Sequence, residues 1–153
     1  GAKLNGRTIR VSKTPDLESA LIGTGFPYDR RVRRRFYLSF WEAFMMKIQG
    51  ARRAGAAALD LAWVAMGRLD GFWEFHLNPW DTAAGALLVQ EAGGSMSRFD
   101  GGAFRLDSHE TLATNGLLRE ELTKLCADMF AGRDLQPIPT PAEFAAARAA
   151  RAS

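Results

Sequence analysis

The sequence predicts an α/β fold, with a mainly parallel sheet flanked by helices. Three observations predict it. Short apolar runs closed by glycine alternate with segments whose apolar residues return every three or four positions. That alternation is the pattern of strand–helix–strand units. Hydrophobic residues make up 47% of the 153, enough to bury a core in one domain of ordinary size.

The elements follow in order. Asn5-Gly6 is a tight hairpin turn, with a strand after it to Val11. Residues 20–25 form a short apolar run closed by Gly23 and Gly25, read as a buried strand. Val32, Phe36, Phe40, Phe44 and Ile48 recur every four residues, which predicts a helix with that face buried. Residues 51–54 are a candidate short strand. Residues 56–66 are apolar nearly all round, as in a helix covered on most sides, and Gly67 ends it. A strand is expected over 72–77, and a helix from near Trp80-Asp81 to Gly93-Gly94. Residues 95–99 and 111–114 read as strands and 117–130 as a helix. Residues 132–153 differ: an extended linker at 136–139, then Thr140-Pro141-Ala142-Glu143, a capping box that opens an alanine-rich helix. The chain thus divides into an α/β part, 1–131, and a linker with a helical tail, 132–153.

Composition excludes several classes. One cysteine, Cys126, rules out an internal disulfide, and its place on an apolar helix face makes it a core residue. Two histidines and one cysteine cannot build a common zinc site, and His76 and His109 lack ligand or nucleophile partners at useful spacing. The net charge of +3 is too small to argue for nucleic acid by itself. No apolar run reaches membrane-spanning length and no secretory signal opens the chain, so no membrane association and a cytoplasmic location are expected. Walker loops, dinucleotide fingerprints and nucleophile elbows are absent.

The residues that can carry chemistry gather near one predicted sheet edge. Asp81 has two readings. It is an N-cap that accepts a backbone N–H at the helix start, or a carboxylate that holds Mg²⁺ where strands end and helices begin. Glu74 lies seven residues earlier on a strand, where it is a solvated outward residue or a second acid of the same site. Gly55, Ala56 and Ala57 present backbone N–H groups at a helix start, able to receive a hydroxyl or phosphate or simply to allow tight packing. Arg30, Arg31, Arg33, Arg34 and Arg35 are a solvated helical turn or a patch for an anionic partner, which Arg52-Arg53 could join.

Trp80-Asp81-Thr82-Ala83-Ala84-Gly85 followed by Glu91-Ala92-Gly93-Gly94 resembles the C-terminal signature of the inositol monophosphatase family, bacterial type. Leu4-Asn5-Gly6, Thr24-Gly25-Phe26-Pro27-Tyr28, the run 53–61, Asp70-Gly71-Phe72-Trp73-Glu74 and Ala113-Thr114-Asn115-Gly116 fall in the family's order. The resemblance implies the C-terminal half of the family's layered sandwich and a Mg²⁺-dependent, lithium-sensitive phosphomonoesterase. Its substrates would be inositol monophosphates or related sugar or nucleotide phosphates, with the metal activating water and neutralising phosphoryl charge. By position, Asp81 resembles a metal ligand that also lies near a substrate hydroxyl. Glu74 resembles the acid that binds inositol hydroxyls, and Gly55, Ala56 and Ala57 the backbone that lines the pocket. The family's other ligands, a glutamate on an N-terminal helix and an Asp-Pro-x-Asp-Gly-Thr motif, do not occur in this sequence. The chain is therefore expected to correspond to the C-terminal half of such an enzyme, to be inactive by itself and to self-associate. Some bacterial members act in ribosomal RNA transcription, which makes RNA or transcription factors the alternative partners.

Overall fold

The computed structural model describes residues 1–133 and 139–150. Most of the expected linker, 136–138, lies outside them. The described elements are β1 (Lys3–Leu4), β2 (Arg7–Thr8), β3 (Leu21–Thr24), α1 (Arg30–Met45), β4 (Gly50–Arg52), α2 (Ala57–Ala65), β5 (Gly71–Phe75), α3 (Pro79–Glu91), β6 (Ser95–Ser97), β7 (Glu110–Thr114), α4 (Arg119–Phe130) and α5 (Pro141–Ala150). Asn5 and Gly6, with φ of 50° and 78°, close the β1–β2 hairpin as expected. Thr140 and Glu143 exchange the two hydrogen bonds of the capping box before α5.

The main sheet has the order β4-β3-β5-β7-β6. β3 is parallel to both β4 and β5, while β7 is antiparallel to β5 and to β6. Four strands therefore run one way, and β7 is inserted against them. Helices cross over between the parallel strands, but the loop from β6 to β7 contains no helix among the described elements, so those two neighbours run antiparallel.

Side chains on the two sheet faces build two cores. Trp73 and Phe75 of β5 and Leu112 of β7 pack with Tyr37, Phe40 and Phe44 of α1 and Leu122 and Cys126 of α4. Phe72 and Ala113 point the other way, toward Leu61 and Val64 of α2 and Val89 of α3. Cys126 is a core residue, as its sequence position indicates. The front of α1 departs from the four-residue repeat: Val32 is 84% exposed and Phe36 is exposed, while Tyr37 is buried. Arg33 breaks helical geometry (φ −101°, ψ 23°) and swings the first turn off the apolar stripe. Tyr37 then donates its hydroxyl to Asp29 Oδ1 at 2.7 Å.

Candidate active site

A cleft of about 520 Å³ opens at the ends of β3, β4 and β5 and the starts of α2 and α3. This is where ligands enter open α/β sheets, outside the carboxyl ends of the strands. Glu74, Asp81, Gly55, Ala56 and Ala57 all line it. Arg53 and, from the arginine run, Arg30 and Arg33 reach the same cleft. Arg31, Arg34 and Arg35 are exposed and do not line it.

Glu74 arrives there by strand periodicity. On β5 it shares a face with Phe72, opposite Trp73 and Phe75, so it turns toward α2 and α3 instead of outward to solvent. Gly25, just after β3, makes room: a Cβ there would stand inside the Glu74 carboxylate. Burial, then the charge of Asp60, raises the Glu74 pKa from 4.5 to about 7, against the pull of Arg53.

Asp60 is the acid that the sequence reading passed over. It stands on α2, buried, with Oδ1 lacking a hydrogen-bond partner among the described residues. Burial raises its pKa from 3.8 to about 6. The signal was present: one acid interrupts an otherwise apolar run over 56–65.

Asp81 is not the N-cap. Asn78 holds that position, Pro79 opens the helix, and Asp81 is the third helical residue. The pair form a capping box, in which the Asn78 backbone N–H donates to Asp81 Oδ2 at 3.0 Å. The cap moves upstream because asparagine is a favoured cap residue and proline at the first helical position has its φ already set for the helix. One Asp81 oxygen serves the helix, and Oδ1 makes no hydrogen bond to the described residues.

At the start of α2, Gly55 has φ 94° and Ala56 caps the helix without a side-chain hydrogen bond. The first N–H groups of the helix lack intrahelical acceptors, so this end can receive a hydroxyl or phosphate oxygen. Three carboxylates from β5, α2 and α3 thus meet arginines and a helix amino end in one cleft. These hard oxygen donors suit Mg²⁺. No three His, Cys, Asp or Glu side chains among the described residues are grouped to hold a metal by themselves.

His76 and His109 have no ligand or nucleophile partner at useful spacing in the sequence. They meet, with Nδ1 atoms 3.3 Å apart, because β5 and β7 pair across a gap in sequence that spacing cannot reveal.

The inositol monophosphatase family model matches residues 1–131. The chain is 53% identical over 117 residues to the Nus factor SuhB of Pseudomonas aeruginosa, covering 75% of this chain and 43% of the relative. It is 47% identical over 128 residues to an inositol-1-monophosphatase of Synechocystis, covering 83% and 44%. The inositol monophosphatase of Anabaena superposes with a TM-score of 0.78 at 41% identity, over 81% of this chain and 49% of that one. The chain spans about half the length of the relatives that it matches.

Proposed function

The chain belongs to the inositol monophosphatase family, and from that premise we propose that it forms one wall of a Mg²⁺-dependent phosphomonoesterase site. The substrate is an inositol monophosphate or a related sugar or nucleotide phosphate. One observation carries the reading: Asp81, Glu74 and the amino end of α2 line a single cleft at the carboxyl ends of the strands. Asp81 is a metal ligand through the oxygen that its helix does not use. Glu74 and the backbone at Gly55, Ala56 and Ala57 receive substrate hydroxyls. Arg53, Arg30 and Arg33 make the rim attractive to a phosphate dianion. Mg²⁺, when bound, supplies Lewis-acid neutralisation of phosphoryl charge. The remaining metal ligands come from a second wall that contains an Asp-Pro-x-Asp-Gly-Thr motif.

The test compares phosphatase activity of the 153-residue chain with that of the same chain joined to an N-terminal half that contains that motif. Activity is expected only in the joined protein, inhibited by lithium and abolished by Asp81→Asn. Mg²⁺-dependent turnover by the 153-residue chain alone would refute the division of ligands.

A second reading has its own support. Several relatives are named Nus factor SuhB, and Arg31, Arg34 and Arg35 are exposed away from the cleft. On that reading the face binds RNA or the transcription machinery. Salt-dependent RNA binding that weakens when these three become glutamine would favour it over the enzymatic reading.

A further inference from the structure

The chain has two histidines, and the fold places them side by side. β5 and β7 pair Phe75 with Glu110, and one further step of that register sets His76 opposite His109. The His76 N–H donates to the His109 carbonyl at 2.7 Å and fixes this step. Opposed residues of an antiparallel pair hold their Cβ atoms about 4.5–5.5 Å apart on one face. Here the rings lie edge to face, centroids 5.2 Å apart, with the two Nδ1 atoms separated by 3.3 Å. Both side chains are exposed, and His76 also lines the cleft. His76 holds φ at 54°, a left-handed conformation with a cost for any residue that has a side chain.

We propose that His76 and His109 form a two-nitrogen clip for a transition-metal dication of the zinc, nickel or copper kind, bound through both Nδ1 atoms at the rim of the cleft. Zinc–imidazole bonds of about 2.0–2.1 Å place two tetrahedral ligands about 3.3–3.4 Å apart. The metal-free separation already meets that requirement. Without metal, one Nδ1–H donates to the other ring's lone pair. Binding needs both Nδ1 atoms bare, so that ring takes the tautomer with its proton on Nε2, whose N–H donates a hydrogen bond to water. Exposure leaves the other coordination positions to solvent. Imidazole selects zinc, nickel or copper over magnesium, so the clip differs in chemistry from the carboxylates deeper in the cleft.

Zn²⁺, Ni²⁺ and Mg²⁺ are titrated calorimetrically into the 153-residue chain, with thermal melts alongside. His109→Gln removes one ligand and keeps the carbonyl that His76 uses. His76→Gly removes the other and releases the left-handed residue, so its metal-free fold should be as stable as the parent or more so. Saturable one-to-one binding of Zn²⁺ and Ni²⁺ is expected, with Tm raised by about 2–4 °C. Each variant should bind at least about ten-fold more weakly, and Mg²⁺ should give no response that depends on the histidines. Zn²⁺ affinity unchanged in both variants, or no saturable binding by the parent, would overturn the proposal. The readout involves no phosphatase activity, so its failure leaves the phosphatase reading intact.

Discussion

Asp60→Asn should stabilise the chain, and only where the parent carboxyl would be ionised. Asp60 is 1% exposed, and its Oδ1 has no hydrogen-bond partner among the described residues. Burial raises its pKa from 3.8 to about 6. The folded state therefore holds this proton more tightly than the unfolded chain. The resulting stability is complete below 3.8 and is lost as pH rises through about 6. At about 1.4 kcal/mol per pH unit, the gap is worth about 3 kcal/mol. Asparagine has the same shape and no charge, so the variant lacks this slope. Glu74 adds in the same direction, because its pKa is raised in part by Asp60. The buried amide still lacks a partner, which makes about 3 kcal/mol a ceiling. At alkaline pH the variant should exceed the parent by up to about 6–12 °C in Tm, and the two should converge near the unfolded pKa of the acid. Urea unfolding of both proteins across this pH window measures it. Parallel stability curves, or an asparagine variant less stable than the parent at the alkaline end, would refute the reasoning.

Two further outcomes concern packing and capping. A Cβ at Gly85 would stand 2.5 Å from the Leu61 Cβ, so Gly85→Ala should push α3 off α2 and cost about 1–3 kcal/mol. Leu61→Ala keeps the Cβ but removes Cγ and Cδ1, which would stand 3.1 and 2.6 Å away, so the two changes should couple, and an additive double-mutant cycle would contradict the contact. Asp81→Ala removes the carboxylate that accepts the Asn78 backbone N–H and should lower stability by about 1 kcal/mol in denaturant titrations. An unchanged midpoint would mean that Asn78 and Pro79 hold the start of α3 without it.

The legible parts of this protein share a property. The Asn5-Gly6 turn, the alternation of Phe72, Trp73, Glu74 and Phe75, and the small residues after Asp81 are all encoded within a few neighbouring positions. Dihedral preferences and the periods of strand and helix act at that range. The family motifs were legible for the same reason, and the family match over 1–131 agrees with them. Where local rules compete, neighbouring residues alone do not decide the outcome. Asp81 was weighed as a cap, but Asn78 with Pro79 is the stronger start. Val32 fits a four-residue repeat, but a kink at Arg33 takes it out, while Phe36, though exposed, still packs on Phe40 and Phe75.

By itself, then, the sequence determined the order of strands and helices, the α/β class and the segments that approach the cleft. Only the tertiary structure decided that β7 enters antiparallel between β5 and β6, that Asp60 faces Glu74 and that His76 meets His109. The reason is physical. Each of these depends on which strand pairs with which and in what register. Pairing is selected by burying both faces of the sheet at once, a condition on the whole chain that no local stretch of residues contains.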